Sequence, residues 1–144
     1  MTLDHLVRLN KIGKLKVEAP DQAEFTGLLE SATRRLKDAA VKEVSDEGRF
    51  LSAYGAAHAL SVAAMRWHGY RSSERYVVFQ CLEHTVGLDR SKWRVLDQCH
   101  KQRNLAEYEG HLEISTQLLE ELIEITGELL VLVEELGPVD ILKS

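Results

Sequence analysis

The densest group of chemically capable side chains is the run HKQRNLAEYEGH, from His100 to His111. Imidazole, guanidinium, carboxamide and phenol are the groups that transfer protons and grip phosphate oxygens. If the run is helical, each residue turns the chain by about 100°. Measured from Arg103, Glu107 then lies at about +40°, His100 at +60°, Asn104 at +100° and Tyr108 at +140°. One side of the helix therefore presents Arg, His, Asn and Glu together. The plainer alternative is a helix end with ordinary charge pairing, since Arg103 and Glu107 form an i,i+4 pair worth about 0.2–0.5 kcal/mol.

The charge distribution gives this run a context. The net charge is −5, but it is unevenly spread. From Arg66 to Arg103 the basic residues are Arg66, Arg71, Arg75, Arg90, Lys92, Arg94, Lys101 and Arg103, against Glu74, Glu83, Asp89 and Asp97. From Glu107 onward there are ten acidic residues and one Lys. Scattered charges of this kind commonly decorate solvated faces. The sharper reading is a basic face for a polyanion, with an acidic helix turned away from it. Arg103, Lys101, Arg94 and Arg71 are the candidate phosphate contacts.

Other chemistries lack their signatures. Neither type of phosphate-cradling glycine loop is present, nor a nucleophile elbow around a serine. The six histidines include no helical pair four apart and no HExxH, so neither a metal nor a cofactor is expected. His58, in the middle of a run of small residues, reads as a core or interface histidine rather than a ligand. Cys81 and Cys99 are too few and too far apart for a disulfide framework and are expected to be reduced and at least partly buried. No apolar run reaches the roughly 18 residues that span a bilayer, and the N-terminus has no secretory pattern. The expected location is the cytoplasm.

The elements that must position these residues are helices. With 44% hydrophobic and 28% charged residues and only two prolines, the chain has the balance of a folded globular protein. Its 144 residues suffice for one domain, with residues 1–19 as an N-terminal arm and 20–137 as the core. A first helix is predicted from Pro20 to Val44, with Phe25, Leu28, Leu29, Ala32, Leu36 and Ala39 facing inward. Ser45 caps a second, from Asp46 to His68, which Gly69 ends. This helix is rich in Ala and Gly, which admit a close neighbour, either within the bundle, the reading preferred here, or across a subunit interface. A third is predicted from Ser73 to Thr85. A fourth runs from Lys92 to Tyr108 with Ser91 as its cap. A fifth, from Glu113 to Leu136, carries Ile114, Leu118, Leu122, Ile125, Leu129, Leu132 and Leu136 as an apolar seam. In the arm, Leu6, Leu9, Ile12 and Leu15 are periodic but Gly13 interrupts them, which leaves a short helix or an extended strap. The fold class is all-α, an antiparallel four-helix bundle of four or five helices.

The turn Gly69-Tyr70-Arg71 after the small-residue helix, and the RN-led motif late in the next helix but one, resemble the HEPN superfamily (higher eukaryotes and prokaryotes nucleotide-binding). More narrowly, the chain looks like small stand-alone bacterial members carrying KxRNxxxYEG. The resemblance covers about Asp21 to Leu136, and Arg103-Asn104-x-x-x-Tyr108 is its most specific part. It implies a four-helix bundle, frequently a homodimer, with two motif helices facing each other across a basic cleft. It also implies an RNA- or nucleotide-directed role in a toxin-antitoxin or phage-defence system.

Active members follow the Arg and its polar neighbour with a His, and cleave RNA without metal. Here Arg103 and Asn104 match, but Tyr108 stands where the common form has His, and His111 comes eight residues after Arg103, past Gly110. A phenol, with a pKa of about 10, is a poor base at neutral pH. The leading expectation is therefore binding of RNA or a nucleotide through Arg103, Asn104 and Tyr108. The first alternative is a metal-independent endoribonuclease, with Arg103 stabilising the phosphorane and His100 or His111 as base. The second is a bundle that docks a protein partner such as an antitoxin or a nucleotidyltransferase.

Overall fold

Short polar side chains fix where the helices begin. Asp21 accepts hydrogen bonds from the backbone N–H of Ala23 (2.8 Å) and Glu24 (3.2 Å), starting α2 (Gln22–Ala39). Ser45 Oγ accepts from Gly48 N at 3.0 Å and starts α3 (Asp46–Trp67), and Ser115 Oγ does the same for α7 (Thr116–Glu134) through Leu118 N at 3.1 Å. The start of α6 (Arg90–Glu109) differs from the sequence expectation. Its cap is Asp89, which accepts from Ser91 N at 3.1 Å and from the Ser91 hydroxyl, so Ser91 lies inside the first turn. The computed structural model describes residues 2–140, and positions 1 and 141–144 of the expected 1–144 unit lie outside the described residues.

Three further segments complete the helices. The N-terminal arm is both a helix and a strap. Helix α1 (Thr2–Lys11) is followed by β1 (Lys16–Val17), which pairs antiparallel with β2 (Tyr70–Arg71). The predicted third helix is broken at Cys81 into α4 (Arg75–Gln80) and α5 (Leu82–Thr85). Val77, Val78, Phe79, Cys81 and Leu82 are all buried, too many successive positions for one helical stripe, and the axis turns to bury them all. Helix α2 ends at Ala39 rather than Val44. Val41 and Val44 face solvent and offer no inward stripe to continue it, and the chain turns toward Ser45.

The fold is all-α, with seven helical segments among the described residues. This exceeds the expected five because the arm adds α1 and the third helix splits. Cross-links fix the directions of the long helices. Arg49 donates to the Ala39 carbonyl (2.8 Å) at one end of the α2–α3 pair and Arg66 to Glu24 (2.7 Å) at the other, so the pair is antiparallel. Lys92 meets Glu128 at 2.7 Å between α6 and α7, and Val139 N donates to Gln22 Oε1 at 2.7 Å where the chain after α7 returns to the start of α2. Trp67 Nε1 donates to the Gly137 carbonyl at 3.1 Å, placing the ends of α3 and α7 together.

The core forms around α3. Ala53, Ala56, Ala57, Ala63 and Ala64 are fully buried, and the α7 residues Leu119, Leu122, Leu129 and Val133 close over the bundle interior. The small residues thus serve packing within the chain. Each fully buried leucine contributes about 1.5–3 kcal/mol. A second apolar cluster, Leu6 and Leu15 with Met65, Val77, Val78 and Cys81, fastens the arm. Among the described residues no helix is long and apolar enough to cross a membrane.

Candidate functional site

A cleft of about 700 Å³ lies where α2, α3, α4, the β2 end and one side chain of α6 meet. Helix α3 lays Tyr54, Gly55 and His58 along it, at the spacing that puts neighbours on one helix face. Helix α2 supplies Arg35, α4 supplies Arg75, and α6 reaches in with Arg103. The absence of a side chain at Gly55 has a local use: an added Cβ would fall where Arg35 Nη1 lies, so the guanidinium rests on the α3 backbone.

Tyr54 organises the basic end. Arg75 Nη1 donates to its phenol oxygen at 2.8 Å, and the same oxygen meets His100 Nδ1 at 3.0 Å. The guanidinium carbons of Arg75 and Arg103 stand 5.5 Å and 5.6 Å from the centre of its ring. The negative face of the phenol thus holds two cations that otherwise repel each other. Asn104 lies 3.2 Å from His100 Nε2, so both ring nitrogens of that imidazole are engaged. With the Asn104 amide nitrogen as donor, the His100 proton sits on Nδ1 and is given to Tyr54. With the amide reversed, the proton sits on Nε2 and Tyr54 donates. Burial raises the Tyr54 pKa despite the opposing Arg75 contact, and burial followed by the Arg75 charge lowers that of His100.

His58 is half-buried in the cleft, its ring edge-to-face with Phe79 at 6.2 Å. Burial, then the charges of Arg75, Arg103, His100 and Arg35, hold its pKa down at about 4. At neutral pH it is an uncharged imidazole among guanidinium groups. Arg103 is shared with Glu107 at 3.2 Å. Among the described residues, Arg35 and Arg75 make no ion pair with a carboxylate.

The other end of the cleft has the opposite character. Arg66, only 2% exposed, donates to Glu24 (2.7 Å) and to the carbonyls of Glu18 (2.8 Å) and Ala19 (2.6 Å). Arg71 holds Glu18 through two contacts of 3.0 Å and 2.8 Å and Glu24 through one of 2.7 Å. The Arg71 hydrogen bond lowers the Glu18 pKa. For Glu24, burial opposes ionisation, but the bonds from Arg71 and Arg66 outweigh it. Both carboxylates are ionised at neutral pH and neutralise this end while pinning the strap.

The residues singled out in the sequence are thus divided. Arg103, His100 and Asn104 come together with Tyr54 at the basic end. Arg71 lines the cleft but is committed to Glu18 and Glu24. Tyr108 is 95% exposed and does not line the cleft, in keeping with its angle farthest round the helix from Arg103. His111 is also exposed, 3.6 Å from Glu113. Lys101 and Arg94 border a different groove with Tyr76 and Trp93, where Lys101 pairs with Asp97 at 3.3 Å. His58, read as a core or interface histidine, packs on Phe79 and lines the cleft. Tyr54, Arg75 and Arg35 carried no motif; the signal for Tyr54 was its i,i+4 spacing to His58 within the stretch of small residues in α3. Cys81 and Cys99 are free and buried, and burial pushes both thiols up to about 12, which keeps them protonated.

Compared with models of known protein families, with curated proteins and with solved structures, the chain matches none.

Proposed function

We propose that this cleft binds the phosphate groups of RNA or of a nucleotide, and that the chain is a HEPN-like binding module of a toxin-antitoxin or phage-defence system. The observation that carries the reading is the gathering of Arg75 and Arg103 at the ring of Tyr54, with Arg35 lining the same cleft. Guanidinium groups match phosphate oxygens with paired donors. A homodimer, and an antitoxin or nucleotidyltransferase as partner, belong to this reading through the family resemblance.

The test is fluorescence anisotropy with short single-stranded RNA as salt is raised from about 50 to 200 mM. Three neutralised phosphates give a logarithmic slope near −2, a weakening of roughly twentyfold over that range. Arg75→Gln and Arg103→Gln should each flatten the slope by about 0.7. Affinity that ignores salt, or that survives both substitutions, overturns the reading.

One observation favours a second reading, cleavage without metal. His58 is a neutral imidazole beside the guanidinium groups, whereas both nitrogens of His100 are already engaged and His111 lies outside the cleft. That imidazole is unprotonated at neutral pH and open to the proton of a ribose 2′-hydroxyl as the oxygen attacks phosphorus, though a pKa near 4 makes it a weak base, and the 5′ oxygen then leaves with a proton from solvent. Cleavage of RNA in EDTA by wild type but not by His58→Gln supports this reading. Intact RNA with wild type removes it.

A further inference from the structure

We infer that the cleft takes a terminal phosphate, at the end of an RNA strand or on a free mononucleotide, in preference to an internal phosphodiester. The inference rests on the phosphate-binding reading above and names the substrate class of the same site.

Charge balance gives the first argument. A phosphodiester carries one negative charge. A terminal phosphate carries about −1.5 to −2 at neutral pH and three acceptor oxygens. At the basic end, Arg103 already shares its charge with Glu107, while Arg35 and Arg75 have no carboxylate partner among the described residues. Two uncompensated guanidinium groups match a dianion and overmatch a diester. His58 adds a neutral imidazole that can donate one N–H to a third oxygen.

The charge along the cleft is also uneven. Glu24 and Arg35 both lie on α2, eleven residues and so roughly 16 Å apart along its axis. A strand threaded through the cleft from the Arg35 end would bring a later phosphate to the end where Glu18 and Glu24 already neutralise Arg66 and Arg71, and would gain no net attraction there. A strand that ends at Arg35 and Arg75 loses nothing by stopping there. The basic end is therefore a terminus-sized site rather than a channel.

The experiment uses the intact protein and one short RNA in three forms: 5′-phosphorylated, 3′-phosphorylated, and with hydroxyls at both ends. Nucleoside monophosphates and the matching nucleosides serve as competitors. One phosphorylated form should bind about tenfold tighter than the hydroxyl form, the worth of one further charge-assisted hydrogen bond. Arg35→Gln should erase that preference, and a melting curve confirms that the variant folds. Binding of the monophosphates but not of the nucleosides, titrated directly by calorimetry, with no binding of RNA, upholds the terminal-phosphate site and removes the RNA half of the earlier reading. Equal, salt-sensitive affinity for all three RNAs overturns the inference and leaves phosphate binding intact. No binding of any ligand overturns both.

Discussion

Gly55→Ala separates what the chain needs to fold from what its cleft needs to bind. Glycine in a helix interior costs about 0.8–1.0 kcal/mol relative to alanine, and Gly55 sits mid-way along α3. The new methyl would collide with Arg35 Nη1, the far end of a flexible side chain, while Arg35 Cδ and Cζ would be at an ordinary 3.4 Å. Arg35 can swing aside, so the helix keeps most of the gain, about 1 kcal/mol. For a chain of 144 residues this corresponds to a rise in Tm of roughly 3 °C. The displaced guanidinium no longer rests on the α3 backbone, and affinity for phosphorylated RNA should fall about tenfold. Thermal unfolding by far-UV circular dichroism and anisotropy on the same preparation read the two effects. A Tm lowered by several degrees would mean that Arg35 is locked in place and that the glycine is a packing requirement. A raised Tm with unchanged affinity would remove Arg35 from the site.

Three other outcomes follow from the same geometry. Arg66→Ala leaves Glu24 without its inner partner and strips the Glu18 and Ala19 carbonyls of their donor, so urea unfolding should show a loss of about 3 kcal/mol; a loss under 1 kcal/mol would mean that the strap is held mainly by its apolar cluster. His58 has a pKa of about 4 when folded against about 6.5 when unfolded, so the unfolded state binds the extra proton and stability falls as pH drops from 6.5 toward 4; His58→Gln should flatten that part of the stability profile, and an unaltered profile would place the acid sensitivity elsewhere. Tyr108→Phe should leave RNA affinity and its salt slope unchanged, since the phenol does not line the cleft, and a clear loss would show that the α6 end folds over bound RNA.

The helices were legible because their signals are local. Asp21, Ser45 and Ser115 cap with their own side chains, and the seam from Leu118 to Leu129 repeats within one element. Ser91 misled because Asp89, two residues earlier, offers the stronger acceptor and itself captures the serine. The break at Cys81 was missed because a short apolar run satisfies a helix and a kink equally until its neighbours are known. The site was only partly legible for the same reason. Periodicity grouped Arg103, His100 and Asn104 on one side of α6, and that side is the one turned toward Tyr54. It cannot say which face of α2 or α4 arrives opposite, so Arg35 and Arg75 were invisible as partners. Tyr108 was included by motif position although its own helical angle already set it apart from the Arg103 side.

The cluster at the basic end is costly in a chain with carboxylates to spare. Acidic residues outnumber Lys and Arg by 23 to 18, yet Glu120, Glu121, Glu124 and Glu128 are spread over the exposed surface of α7, and none of them lines the cleft with Arg35 or Arg75. Where the fold needs an arginine for structure, at Arg66 and Arg71, it supplies Glu18 and Glu24 within hydrogen-bonding distance. Where it holds Arg75 and Arg103 together, it supplies a tyrosine ring, which steadies both cations, and of the two only Arg103 has a carboxylate partner, Glu107. Like charges gathered this way oppose folding. They raise affinity for an anion because their repulsion is relieved only when one arrives. The two treatments of arginine, at the two ends of one cleft, distinguish a structural clamp from a site whose Arg35 and Arg75 still lack a counter-charge.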